Sequence, residues 1–474
     1  MSPQTDLVEK EDKVPFKAKF SYAMGGTTDI FGHWLYNGIA NPVFVTFFGL
    51  TPTMVSWAVG GTRMVDAFTD PIAGWVSDNT RSKWGRRRPF ILFGSILAGL
   101  MLPCLFMVPR SFSHHQIFLF MLISAALYAP IISAYNMPYQ SLGSELTPSY
   151  HERTSIMSWK AYTQKLSGLV TGSAFAFATL PMFYDRSIGK VDMARGTMWF
   201  AAICGAIMIL SGVMNFFNVK ERYYEKAKTQ EKIKFLNIFS ETFRCKPYLV
   251  LLGVALVYAI PTGLVGSLGY YATTYYVCPG DLHKAGVISM WAGVSYALMG
   301  ICGVPVAAGV SRKYGKKWAL TYTLAAGVIA FASSWWLYNP NHPWLCVLAN
   351  GFNGFSATGL WVVLPSMCVD VVDYDEVHSG KRLEGAFNST FAWVLKVGMS
   401  VSMLLVGPVL DSFTGFDAKL EVQAPETLLW IRVLFVAIPV VALIAALLLL
   451  QLFKLTPQKM AAIRAELEAR RGTV

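Results

Sequence analysis

The sequence predicts an all-α, polytopic membrane protein of about twelve transmembrane helices in two six-helix halves, and three observations predict it. Of the 474 residues, 54% are hydrophobic and only 14% charged, so most of the chain is unsuited to a water-facing surface. The apolar residues fall into runs of about 20, the length that crosses a bilayer as a helix. The cations gather on alternate connections, as they do when every second loop is held on the cytoplasmic side. That retention also accounts for 40 Lys+Arg against 28 Asp+Glu, a net charge of +12, so the basic balance implies no nucleic-acid partner. The seven cysteines are scattered without a CxxC pair, which argues against a disulfide frame or a zinc site.

Residues 1–19, MSPQTDLVEKEDKVPFKAK, hold Lys10, Lys13, Lys17 and Lys19 and no apolar core beside a small-residue cleavage site. They read as a cytoplasmic segment rather than a cleaved signal. Residues 20–218 carry six spans, centred near Asn37, Phe68, Leu100, Ile131, Leu169 and Gly205. Gly, Pro and polar residues interrupt many of them, as happens where helices line a cavity as well as lipid. Between the second and third spans lie Arg81, Lys83 and Arg86 to Arg88. Residues 219–246 form a long basic middle loop. Residues 247–454 carry six more spans, centred near Leu264, Ser295, Gly327, Phe355, Lys396 and Val440, with Arg312, Lys313, Lys316 and Lys317 after the eighth and Lys381 and Arg382 after the tenth. Residues 455–474 form a cytoplasmic tail able to make a short helix with both signs of charge. The odd connections hold only isolated cations such as Arg110 and Lys284, so both termini are expected in the cytoplasm. A partial echo relates the halves. SKWGRRRPFIL recurs as RKYGKKWAL, sharing aromatic–Gly–cation–cation at Trp84–Arg87 and Tyr314–Lys317, while the Asp78–Asn79 segment is not repeated. Two parallel six-helix repeats with a site between them are a transporter plan.

The chemistry concentrates on a few spans. In the second, Arg63, Asp66 and Asp70 share one helical face. Pro71 follows at once, and its missing N–H frees the carbonyl of Ala67. Two carboxylates, that carbonyl and the Thr69 hydroxyl crowd one turn, an oxygen set suited to a small hard cation. Charges are costly enough inside a membrane that a functional role is the default reading. On the first span Asp29, His33 and Tyr36 or Asn37 form a stripe. A carboxylate such as Asp29 accepts paired hydrogen bonds from vicinal hydroxyls, while His33 is read as an interhelical hydrogen-bonding residue. Ser133, Asn136 and Gln140 make a polar stripe beside Pro138 on the fourth span. Lys396 is alone among apolar neighbours and needs a partner, for which Asp29, Asp66 and Asp70 are candidates. Asp370, Asp373, Asp375 and Glu376 end the tenth span near the basic loops, as a gate or as a solvated face. The sequence holds no Walker loop, HExxH or GxSxG, and no nucleophile–base pair is identified, so neither ATP-driven transport nor an enzyme is expected and no cofactor is implied.

These motifs carry a resemblance. DAFTDPIAGWVSDNTRSKWGRRRPFIL resembles the second-helix and loop signature of the glycoside–pentoside–hexuronide:cation symporters, the melibiose-permease-like family of the major facilitator superfamily. NMPYQSLGSELTPSYHERTSI, DVVDYDEVHSGKRLEGAF and VLKVG extend the likeness over nearly the whole chain. The resemblance implies a carrier that moves a sugar with a monovalent cation. Asp66 and Asp70 match the cation carboxylates, with Thr69 and Ser133 as further oxygen ligands. Asp29, Asn136, Gln140, Lys160, Trp361 and Lys396 fall on substrate-facing positions, and Arg153, Arg312, Asp370, Asp373 and Arg382 on a cytoplasmic charge network that closes the inward exit. Asn136 stands where melibiose permease has a sugar-binding aspartate, Gln140 where it has a tryptophan and Lys160 where an arginine is usual, departures that bear on which sugar is carried. The expectation is thus a secondary-active sugar importer of the cytoplasmic (inner) membrane, coupled to Na+ or H+, with the lipid bilayer as its surroundings. The rival readings are a carrier of a lysolipid-like amphiphile and a non-transporting sugar sensor.

Overall fold

The computed structural model describes residues 13–147, 150–221, 242–380, 384–420 and 422–471. The middle loop read at 219–246 lies largely outside them, as do Lys381 and Arg382. The chain divides into two compact units, Met1–Glu231 and Lys232–Val474.

In the first unit the long helices are α1 (Phe16–Ala40), α2 (Pro52–Asn79), α3 (Arg88–Cys104), α4 (His114–Glu145), α5 (Tyr150–Gly172) and α6 (Met193–Asn218). Their starts follow from local chemistry. Thr51 accepts the Met54 amide ahead of α2. Ser113 and Gln116 form a reciprocal capping box at α4, and Asp192 accepts the Arg195 amide at α6, so amides with no partner inside the helix are satisfied by side chains. A hairpin of β1 (Tyr184–Asp185) and β2 (Lys190–Val191) leads into α6.

The second unit holds α7 (Lys246–Tyr271), α8 (Leu282–Tyr314), α9 (Lys316–Leu337), α10 (Leu345–Ser379), α11 (Glu384–Thr414) and α12 (Pro425–Gln451), followed by α13 (Pro457–Arg471). Its packing repeats that of the first unit. The pairs α2–α4, α3–α6, α1–α6, α1–α5 and α3–α4 reappear as α8–α10, α9–α12, α7–α12, α7–α11 and α9–α10. In addition α1 and α7 both run on into a π-helical turn, Asn41–Phe47 and Ala272–Val277. The aromatic–Gly–cation–cation echo has a structural cause, since Gly85 and Gly315 both take positive φ, +106° and +92°. Only glycine enters that region without strain.

Small residues let the helices meet backbone to backbone, the usual means of tight packing between membrane helices. A Cβ on Gly205 would stand 2.1 Å from the Gly99 carbonyl oxygen, where α3 crosses α6. One on Gly354 would stand 2.1 Å from the Tyr296 carbonyl oxygen, between α10 and α8.

Among the described residues eight helices are long and apolar enough to cross a membrane, and α3 is apolar but shorter. The protein is a multi-pass membrane protein. The twelve spans read from the sequence correspond to α1–α12, but α1, α2 and α5 are too polar to qualify by composition. These three carry Asp29, Arg63, Asp66, Asp70 and Lys160. The same polarity misled the placement of two spans. Hydropathy centred the first and fifth near Asn37 and Leu169, whereas the helices are Phe16–Ala40 and Tyr150–Gly172. Their first halves are polar, and a helix packed against other helices tolerates polar faces that lipid does not.

Candidate functional site

The first unit brings together the polar residues of α1, α2, α4 and α5. On α2, Asp66 and Asp70 are 7% and 4% exposed, one turn apart, and Pro71 sits inside a helix that continues to Asn79. The Arg63 guanidinium lies 3.6 Å from Asp66 Oδ2, stacks over Trp34 and donates to the His33 carbonyl oxygen at 2.7 Å. Arg63 therefore joins the carboxylate pair on α2 to the backbone of α1. Thr69 Oγ1 and Ser133 Oγ, the two further oxygens read from the sequence, stand 2.9 Å apart and link α2 to α4.

Asp29 lies one turn before His33. Its Oδ2 accepts from Gln164 Nε2 of α5 at 2.8 Å, and its Oδ1 is 3.2 Å from His33 Nδ1. The His33 ring thus turns back on its own helix, also reaching the Asp29 carbonyl oxygen at 3.0 Å, instead of bridging to a neighbour as the sequence reading had it. The i,i+4 spacing puts both groups on one face, so the shorter reach wins. Gly26 lets α5 come close enough for the Gln164 contact, since a Cβ there would stand 2.9 Å from Gln164 Cγ. Gln164 escaped the sequence reading. Its signal was position, four residues after Lys160 on the same helical face.

On α4, Asn136 is buried and Gln140 exposed, and Gln140 Nε2 donates to Asn136 Oδ1 at 3.0 Å. The Lys160 ammonium lies over the ring of Tyr139, 5.0 Å from its centre. Beside this group, Gly32, His33, Tyr36, Asn37, Arg63, Asp66 and Tyr128 line a cavity of about 20 Å³, room for roughly one water-sized species.

At the basic end of the first unit, Arg86 and Arg87 pair with Glu145 at 2.8 and 2.9 Å, and Arg87 with Asp78 at 3.2 Å. The Glu221 carboxylate accepts the main-chain amides of Arg86, Arg87 and Arg88 at 2.9, 2.7 and 3.1 Å. It caps α3 from far along the chain, where an anion suits the exposed amides and the helix dipole. Arg153 donates to the Thr147 carbonyl oxygen at 3.2 Å.

In the second unit, Trp361 meets Tyr258 edge to face, with ring centres 6.2 Å apart. The Lys396 carbonyl accepts from Ser400. Asp370 is buried and forms an ion pair with Lys316 at 2.7 Å; Arg312 is exposed on the last turn of α8. The pairing repeats that of the first unit, where the cation after the positive-φ glycine also meets an acid near the end of the fourth helix. Asp373 is half-buried, and Arg382 lies outside the described residues.

The family described as MFS/sugar transport protein matches residues 22–457. Among curated proteins the chain is 28% identical over 475 residues to the uncharacterized symporter YnaJ of Bacillus subtilis, covering 98% of this chain and 97% of that one. It is 25% identical over 460 residues to the putative glycoside/cation symporter YagG of Escherichia coli, covering 96% and 95%. Among solved structures the nucleoside transporter NupG superposes with a TM-score of 0.65 at 15% identity, over 94% of this chain and 100% of that one, a likeness of fold. With its paired six-helix units, its buried carboxylates and a family match running almost end to end, the chain belongs to the MFS/sugar transport protein family.

Proposed function

We propose that this protein is a secondary-active symporter that carries a sugar inward across the cytoplasmic membrane together with Na+ or H+, both chain ends being cytoplasmic. The observation that carries the reading is the buried pair Asp66 and Asp70 on α2, with Thr69 and Ser133 oxygens beside it. Adjacent buried carboxylates repel unless a cation or proton intervenes. The naming of YagG as a putative glycoside/cation symporter supports the same reading.

The contacts of Arg63 suggest how ion and sugar communicate. An ion arriving at Asp66 competes with the Arg63 guanidinium, whose other nitrogen holds α1 at His33. His33 in turn contacts Asp29, a residue proposed to accept sugar hydroxyls. A shift of Arg63 therefore changes the setting of Asp29, and occupancy of either site alters affinity at the other by the same factor. The ion pairs Arg86–Glu145 and Lys316–Asp370 are proposed to be remade as the transporter alternates between its two faces.

The test is uptake of a labelled sugar panel into proteoliposomes under separate sodium and proton gradients. One gradient is expected to drive accumulation in the native protein, and Asp66→Asn or Asp70→Asn to abolish it. Accumulation that survives both substitutions with its ion dependence intact would overturn the coupling scheme, and saturable binding without accumulation would identify a sensor instead.

A further inference from the structure

We propose that the second unit carries a binding site for the headgroup of an anionic phospholipid, built around Arg432 where the end of α9 and the start of α12 meet the π-helical turn after α7. The inference stands apart from the sugar and ion readings and needs only that the chain spans a membrane.

Arg432 lies in the second turn of α12 (Pro425–Gln451), and the helix holds no charge after it. At 1.5 Å per residue its Cα stands about 10 Å from the helix start, a depth from which a long cationic side chain reaches the headgroup level. Of the eight membrane-length helices α12 is the most apolar, and only 28% of its most apolar stretch is buried, so much of its surface is left to lipid. Trp336, next to Trp335, and Trp430, two residues before Arg432, are exposed, as aromatic residues are at a membrane–water interface.

The Arg432 guanidinium is held in place by three elements. Its carbon lies 4.3 Å from the ring centre of Tyr276 in the π-helical turn and 4.3 Å from that of Trp335 on α9. Nη2 donates to the Trp335 carbonyl oxygen at 2.9 Å, and the buried Nε has no hydrogen-bond partner among the described residues. Aromatic faces answer part of a positive charge but leave most of the five guanidinium donors unused. Among the described residues Arg432 makes no ion pair. In this it differs from Arg63, which meets Asp66, and from Lys316, which meets Asp370.

A fixed guanidinium is matched by a planar or tetrahedral anion that can accept two hydrogen bonds. At the edge of the hydrocarbon a bilayer supplies one, the phosphodiester of a phospholipid, whose acyl chains would run along the apolar face of α12. A zwitterionic lipid brings its own ammonium to that phosphate, whereas an anionic lipid brings it uncompensated, so the anionic class is favoured.

The experiment uses the purified, delipidated full-length chain in detergent, titrated with dioleoyl phosphatidylglycerol or dioleoyl phosphatidylethanolamine and read by native mass spectrometry. The first phosphatidylglycerol is expected to bind about five- to tenfold more tightly than the first phosphatidylethanolamine. Arg432→Gln should bring that ratio to near unity and Arg432→Lys should keep part of it, because an ammonium still binds phosphate as a point charge. Lys284→Gln, which removes an exposed cation at the start of α8, should leave the ratio unchanged. Hydrogen exchange on the native chain locates the site without any variant: phosphatidylglycerol, more than phosphatidylethanolamine, should slow exchange at residues 272–281 and 335–344. Equal binding of the two lipids, a preference that survives Arg432→Gln, or protection spread evenly over the chain overturns the proposal. Protection of the same segments by inorganic phosphate alone would identify a free-anion site and overturn the lipid assignment.

Discussion

Replacing Glu221 by alanine removes one carboxylate and strands three main-chain amides. Those of Arg86, Arg87 and Arg88 reach it at 2.9, 2.7 and 3.1 Å, the last two sharing Oε1. Hydrogen bonds to a charged group contribute about 1.5–3 kcal/mol each, but contacts sharing one acceptor are not additive. Glu221 is also half-buried, so water replaces part of what is lost. We therefore expect Glu221→Ala to cost about 2–4 kcal/mol. Glu221→Gln keeps a carbonyl oxygen for the shared amides and gives up the charge at the helix start, and should cost about 1–2 kcal/mol. The assay is thermal unfolding in detergent, followed by a thiol-reactive dye. Cys204 on α6 is buried and becomes reactive only when the first unit opens. If that unit unfolds cooperatively, the alanine variant should open roughly 5–15 °C below the native protein, with the glutamine variant between them. An alanine variant opening at the native temperature would show that water satisfies these amides and that the cap is incidental.

Gly205→Ala should lower stability by about 1–3 kcal/mol or more, because the new Cβ meets backbone, which cannot swing aside as a side chain would; the same dye assay reads it. Gly315→Ala should be destabilising for a different reason, the φ of +92° together with a Cβ placed 2.9 Å from Pro457 Cγ, and limited proteolysis of α13 should detect its release. Between α5 and α6, hydrogen bonds from Ser187 and Arg110 hold the Asp185 carboxyl down at about 2. A depressed folded pKa gives stability that is present above the unfolded value of about 3.9 and is lost as pH falls through the folded value. The hairpin should therefore loosen between about pH 4 and pH 2, and Arg110→Ala should flatten that dependence; hydrogen exchange at Ser187 is the readout. Thr69→Val breaks the Thr69–Ser133 contact between α2 and α4 and should weaken ion activation of sugar uptake more than it weakens uptake at saturating ion.

Much of the fold and part of the site were legible before any coordinates. Asp66 and Asp70 stood out because carboxylates inside an apolar run are expensive whatever they touch. Trp84–Arg87 and Tyr314–Lys317 betrayed the repeat because a turn requiring positive φ constrains residue identity locally. Other features were not legible, since they depend on which helix lies beside which. Asp29 meets Gln164 across α1 and α5, a contact permitted by the missing side chain at Gly26. Asp370 pairs with Lys316, although several cations of that loop were equally eligible by sequence. Glu221 looked like one charge among many in a basic connection.

The sequence by itself determined that the chain is a membrane-embedded, twofold-repeated helical protein, because hydropathy, span length and loop charge act residue by residue. Only the tertiary structure decided the polar partnerships, that Arg63 ties the Asp66 carboxylate to the backbone of α1 and that the Lys160 ammonium lies over the ring of Tyr139. Such contacts depend on angstrom-scale separations between helices, and those are set by packing at glycines such as Gly26, Gly99 and Gly205.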